Sequence, residues 1–174
     1  MKIYSKKGDS GKTQVSKTGR TSKNDIRIHF LGETDELISR LGLIKAMMAD
    51  ENARAFEFTI AFIEDIQKKL MSLTAHIYDP NDKNFLLSKE DVSVLENEID
   101  RITKKIKKEF KFVMPGKNTL EAQMHLARTA ARKTERLFTA VIEQKVFTKD
   151  ALCINIPAYL NRLSDYLFIL TQSV

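Results

Sequence analysis

From Asn118 to about Val146 the chain contains neither glycine nor proline. Met114-Pro115-Gly116-Lys117, a strong helix breaker, stands just before this run. Asn118 followed by Glu121 three residues on has the spacing of a helix N-cap with its capping-box partner. One long helix is the economical reading. At about 1.5 Å per residue it runs roughly 40 Å, the length of a small domain. Leu120, Met124, Ala127, Ala131, Leu137, Phe138 and Val141 give it an apolar side. Arg128, Arg132, Glu135 and Arg136 fall on one polar face, since residues three, four and seven apart share a side of a helix. Three guanidiniums with one acid among them repel one another unless an anion sits opposite. Two readings fit: a solvated basic face with Arg132 paired to an acid, or a phosphate or carboxylate clamp, for which the arginine fork is suited.

The other apolar stripes are also helical. Thr34, in Gly32-Glu33-Thr34-Asp35, is a plausible N-cap for a helix buried through Leu37, Leu41, Ile44 and Met48. A second helix is expected from about Asn52 to Tyr78, with Phe56, Ile60, Ile63, Ile66, Leu70, Leu73 and Ile77 inward. A third begins near Ser88 and buries Val92, Leu95, Ile99, Ile102 and Ile106. Lys104, Lys105, Lys107 and Lys108 crowd its end, where cations suit the helix dipole. The run from Asn118 is the fourth. A fifth extends from about Pro157 to Gln172, on Leu160, Leu163, Leu167 and Leu170. Six glycines and three prolines in 174 residues leave little material for a turn-rich sheet. The expected fold class is all-α, a five-helix bundle in a single domain over 1–174.

Residues 1–31 differ in composition. Lys2 to Val15 is rich in Ser, Thr, Gly and Lys, and reads as an irregular segment. Residues 1–28 hold eight Lys or Arg against two Asp, which accounts for the whole net charge of +6. The excess points to a local anionic partner rather than to a uniformly basic protein. Gly8 and Gly11 permit backbone amides to turn toward an anion, and Lys6, Lys7 and Lys12 add charge. A solvated basic leader is the competing reading. Gly11-Lys12-Thr13 imitates the end of a Walker A loop, but Lys6 stands where that motif needs its first glycine.

His29, His76 and His125 are scattered without zinc-ligand spacing, and each is read as structural. The single Cys153 cannot form an internal disulfide, so a reducing compartment is expected. No apolar run approaches a membrane span. The chain is expected to be cytoplasmic. Asn161, Arg162 and Asp165 are polar residues in an otherwise apolar last helix; they either tie helices together or face a ligand.

Four segments taken together resemble the ATP:cob(I)alamin adenosyltransferases of the propanediol-utilisation type. They are Ile3 to Thr13, Gly32 to Leu37, Phe112 to Gly116 with the following His125 to Arg136, and Tyr159 to Phe168. The resemblance implies a bundle that trimerises, with ATP bound between subunits by the basic N-terminal segment of residues 1–31. It assigns nucleotide contacts to Ser5, Lys6, Lys7, Gly8, Asp9, Gly11, Thr13, Gln14 and Lys23. Arg132, Lys133, Glu135, Arg136 and Asn161 would complete the site from the adjacent subunit. Asp35 and Arg128 match the family's cross-subunit ion pair near the corrinoid, and Phe112 the aromatic that closes the lower corrin face. Arg132, Asp35, Arg128 and Phe112 are thus the residues implied in catalysis. The implied substrates are ATP, with Mg2+ on its phosphates, and cob(I)alamin. The implied partners are two further copies of the chain and a corrinoid reductase or an adenosylcobalamin-dependent enzyme, with no nucleic acid and no membrane.

The chain departs from the family pattern at Ile38, Lys117 and Lys133, and Ser5 replaces a threonine while keeping its hydroxyl. A non-enzymatic relative that binds ATP or a corrinoid is the alternative function. A basic nucleic-acid binder is more distant, because exposed interleaved aromatics and a docking motif are lacking.

Overall fold

The computed structural model describes residues 3–16, 19–79, 87–106, 113–144 and 154–173. It holds a two-stranded ribbon, β1 (Lys12–Ser16) and β2 (Gly19–Ser22), and four helices: α1 (Ile26–Tyr78), α2 (Lys89–Thr103), α3 (Thr119–Glu143) and α4 (Ile156–Thr171).

Where five helices are expected there are four continuous helical segments, because the first two expected helices adjoin as α1 with no loop between them. They meet at Asn52, whose backbone is non-helical (φ −166°, ψ 85°). Its Oδ1 accepts from the Ala55 amide at 3.0 Å, so Asn52 acts as an internal cap where the chain reverses. The two arms lie antiparallel, each roughly 40 Å long. Gln67 Nε2 of the second arm donates to the Ile38 carbonyl of the first at 2.8 Å. Lys45 Nζ stands 3.8 Å from Glu64 Oε2 across the same seam.

The first arm also begins earlier than expected. Its N-cap is Asp25, not Thr34, and the helix passes through Gly32. Thr34 is fully buried inside it, with Oγ1 donating to the Phe30 carbonyl at 2.8 Å. The reason is Phe30, which is completely buried against Phe138 of α3, ring centroids 5.3 Å apart. Burying a large aromatic outweighs the cost of about 1 kcal/mol for one helical glycine.

The basic segment is likewise not wholly irregular. Thr13 and Thr21 face each other across the antiparallel ribbon, and Gln14 faces Arg20, before a register shift near Ser16. Val15 is 3% exposed and gives the ribbon an apolar foot. Its β-branched residues at alternate positions, Thr13 and Val15, suit a pleated strand. The ribbon packs on α1, with Gln14 Nε2 donating to Tyr78 Oη at 3.1 Å.

The expected stripes form the core. Leu37, Leu41, Ile44 and Met48 of α1 are fully buried, as are Met124, Ala127, Ala131 and Phe138 of α3 and Leu160, Leu163 and Leu167 of α4. Helix α3 packs on both α1 and α4, and α2 packs on α4. Ser88 and Asp91 make a reciprocal capping box at the start of α2. No helix among the described residues is long and apolar enough to cross a membrane.

Asp25 yields a stability prediction. Its carboxylate caps α1 by accepting from the Arg27 amide and is gripped by both Nε (2.9 Å) and Nη2 (2.7 Å) of Arg27. Arg27, foremost by hydrogen bonding, holds the Asp25 carboxyl well below the usual carboxylate range. A depressed pKa means that the stabilisation is present above the unfolded-state value and is lost as the pH falls below it. Asp25→Ala is expected to cost about 1–2 kcal/mol at pH 7. The gap from wild type should narrow as the pH drops below about 4. Urea melts of both forms at pH 7, 4 and 3 check this; a gap that is constant with pH contradicts it.

Candidate functional site

The polar residues of interest gather in two places. The first is the ribbon and the loop before it. The Asp9 amide donates to the Lys6 carbonyl at 3.3 Å and the Gly11 amide to the Gly8 carbonyl at 3.2 Å, so residues 6–11 make two successive tight turns. Gly11 has φ +75°, a left-handed conformation open to glycine at no cost. Lys6 also has a positive φ, 58°. Arg20 clamps the loop from β2: its Nη2 donates to the Lys7 carbonyl and, at 3.0 Å, to the Lys12 carbonyl. The Lys23 amide donates to the Gly11 carbonyl at 2.8 Å, which closes the open end of the ribbon. Lys23 Nζ lies so near Gly8 that a side chain there would meet it at 3.4 Å. Ser5, Lys6, Lys7, Asp9, Gly11, Gln14 and Lys23 are all exposed, and Gly8 and Thr13 are half-buried. The result is a solvent-facing loop with several ammonium groups and one acid, Asp9, supported by a rigid ribbon. Such a surface attracts a polyanion.

The second place is the face of α3 turned toward α4. Asn161 Nδ2 donates to Glu135 Oε1 at 3.0 Å, while Asn161 Oδ1 accepts from Arg162 Nη1 at 2.8 Å. Arg162 Nε in turn donates to Glu96 Oε1 of α2 at 2.8 Å. Glu135, Asn161, Arg162 and Glu96 therefore form one chain of hydrogen bonds across three helices. Asp165 lies at its edge. Desolvation raises its pKa; Arg162 opposes the rise, Glu135 adds to it and Arg132 opposes it. Arg132 and Arg136 are exposed, and no ion pair holds either of them among the described residues. Lys133 is tied instead to Glu33 of α1. Glu33, Glu36, Arg40, Lys133 and Arg136 border a shallow depression of about 320 Å3 between α1 and α3.

The implied catalytic residues are placed unevenly. Asp35 is exposed on α1, and Arg128 is half-buried on α3. They make no ion pair with each other within the chain, and the buried Nε of Arg128 has no hydrogen-bond partner among the described residues. Phe112 and Cys153 lie outside the described residues. Three contributors escaped the sequence reading: Arg20, Glu33 and Tyr78. Each acts on a residue distant in sequence or on a backbone carbonyl, and none of these contacts leaves a local pattern. Of the histidines, His29 Nε2 lies 2.9 Å from Asn24 Oδ1, and His125 Nε2 lies 3.0 Å from Glu121 Oε1. The described residues contain no group of three or more His, Cys, Asp or Glu that could hold a metal ion.

Comparison with known proteins adds an independent finding. The model of the cobalamin adenosyltransferase family matches residues 3–174. The corrinoid adenosyltransferase of Bacillus subtilis is 32% identical, over all of this chain and 86% of that protein. A corrinoid adenosyltransferase of Citrobacter freundii is 34% identical over 98% of this chain and 93% of its own length. Among solved structures, a variant PduO-type ATP:corrinoid adenosyltransferase from Lactobacillus reuteri, complexed with cobalamin and ATP, superposes with a TM-score of 0.84. It is 29% identical, and the match covers 99% of this chain and 92% of that one.

The α3–α4 cluster makes a prediction that is independent of any ligand. Arg132 lowers the pKa of Asp165, so Arg132→Ala should raise it further. Carboxyl 13C titration by NMR reads this directly. An unchanged or lowered Asp165 pKa in the variant would show that Arg132 points elsewhere in solution.

Proposed function

The chain belongs to the cobalamin adenosyltransferase family, and we propose that it transfers the 5′-deoxyadenosyl group of ATP to the cobalt of cob(I)alamin, forming adenosylcobalamin and releasing triphosphate. The observation that carries this reading is the family match over 3–174, which spans the basic loop, α3 and α4 together. Cob(I)alamin supplies the electron pair. As the cobalt–carbon bond forms at C5′, the C5′–oxygen bond breaks and its electrons leave with the triphosphate. No protein nucleophile is required. The protein's work is to align cobalt with C5′, to neutralise the leaving group and to keep water out.

In this reading the loop Ser5–Gly11, with Thr13, Gln14 and Lys23, wraps the triphosphate. Lys6, Lys7 and Lys23 supply charge, and the turn amides supply oriented donors. Arg132, Lys133, Glu135, Arg136 and Asn161 belong to the same nucleotide site but come from a neighbouring subunit. The ribbon rests on α1, whereas those residues stand on α3 and α4. Glu135 and Arg162 leave Asn161 oriented, with its amide nitrogen toward α3. Mg2+, when bound, screens the phosphate oxygens; the residues present fit an ion carried mainly by the substrate, as Mg2+ often is. Asp35 and Arg128 pair across subunits beside the corrinoid, which would give the Arg128 guanidinium its missing partner. Phe112 closes the lower corrin face and disfavours a lower axial ligand. The assembly is a homotrimer of single-domain chains, placed in the reducing cytoplasm. A corrinoid reductase or an adenosylcobalamin-dependent enzyme is its expected partner.

Anaerobic spectral assay of cob(I)alamin with ATP tests the reaction. Arg132→Ala removes a charge-assisted contact to the leaving triphosphate, worth about 3–4 kcal/mol or on the order of a few-hundredfold in rate. The helix should stay folded, since alanine is the better helix former. Phe112→Ala should slow transfer while leaving ATP binding nearly unchanged. Equal weakening of ATP binding by both substitutions would refute the division into a nucleotide side and a corrinoid side. Sedimentation should show a trimer at micromolar concentration, and a monomer alone would refute the shared site.

A further inference from the structure

Glu121 is buried, 2% exposed, in the first turn of α3. Its spacing from Asn118 suggests a capping-box partner, and the Asn118 side chain does accept from the Glu121 amide at 2.7 Å. The carboxylate, however, reaches further back. Oε2 accepts from the Gly116 amide at 2.8 Å and from the Lys117 amide at 3.1 Å. Oε1 lies 3.0 Å from Nε2 of His125, itself 5% exposed, one helical turn on. Burial alone would raise the pKa of this carboxyl. The two amides and His125 more than offset it, and the net shift is downward, so the group is ionised at neutral pH.

A buried carboxylate is expensive to desolvate and is kept only where its partners are good. Here two of its partners are backbone amides of one short turn. That turn has little else to fasten it by packing: Met114 is 87% exposed and Val113 is only half-buried. Gly116 sits at φ +116°, a conformation that leaves its amide aimed inward at Glu121. The anchor and its turn thus form a latch between residues 113–117 and the rigid start of α3.

We propose that Glu121 is a positioning residue for adenosyl transfer, which fixes the 113–117 turn and through it the corrinoid side of the site. This rests on the adenosyltransferase reading, in which Phe112, the residue next to the turn, meets the lower corrin face. Glu121 touches neither substrate in this scheme. Its influence is selective because the turn it holds adjoins the corrinoid and not the triphosphate loop.

The test compares wild type, Glu121→Ala and Glu121→Gln in three measurements: steady-state transfer with each substrate varied in turn, hydrogen exchange at Gly116 and Lys117, and thermal melting. In Glu121→Ala, exchange at the two amides should rise at least tenfold. Its kcat/KM for cob(I)alamin should fall about tenfold or more, while KM for ATP stays within twofold. Glu121→Gln keeps one acceptor and should lie between the two. Unchanged corrinoid kinetics in an active protein would overturn the inference, as would a loss shared equally between the substrates. Should Glu121→Ala fail to fold, Glu121→Gln carries the same comparison. A wild-type chain without transfer activity overturns the adenosyltransferase reading itself, and this inference with it.

Discussion

The close packing of α3 against α1 and α4 is the constraint on which the rest of the structure depends. Ala127 and Ala131 are fully buried, and Ala130 nearly so. Small side chains there let neighbouring backbones approach, while Phe138 and Met124 fill the wider gaps above and below. With two sides of α3 committed to the core, its charged residues are left to its remaining edges. Arg132, Lys133 and Arg136 are exposed for that reason, and Arg128, nearer the core, is only half-buried. The basic face is therefore a by-product of helix packing that chemistry can exploit. Its chemistry is aimed by the neighbours: Glu135 is held by Asn161 and Lys133 by Glu33.

Much of this was readable from residue order alone, for physical reasons that can be named. Helix stripes are local and periodic, so Leu37 through Met48 and Leu160 through Leu170 announced their buried sides. Asn118 and Ser88 announced their helices by capping within three residues. Asn52 marked a real discontinuity, but whether two helical runs are separate elements or arms of one hinged helix depends on how the chain turns at a single residue. Gly32 reads as a breaker and hides the start of α1, whereas Phe30 gains enough burial to carry the helix through it. In the ribbon, Ser, Gly and Lys dominate the composition and hide the alternation of Thr13 and Val15.

The site was legible mainly as a likeness spread over four segments, and less as geometry. Sequence spacing places Arg128, Arg132 and Arg136 on one face, but it cannot say that Lys133 reaches Glu33, a hundred positions away. Glu121 shows a related limit. Its offset from Asn118 predicted a helix cap, and a cap exists, yet its carboxylate is spent on the preceding turn. A side chain with several reachable donors is settled by burial and competition among them, which no pairwise spacing rule encodes.

The hinged α1 has a mechanical side. Its two arms join at Asn52 and end at Asp25 and Tyr78, and both of these ends touch the same small ribbon: Thr21 donates to Asp25 at 2.7 Å, and Gln14 to Tyr78. The ribbon is a clasp across the ends of a helical hairpin. Sliding one arm by a single turn, about 5.4 Å, would pull the two attachment points out of step and undo the clasp. The loop that carries Lys6 and Lys7 hangs from that clasp, so the shape it offers to solvent is a gauge of how the two arms of α1 are set against each other.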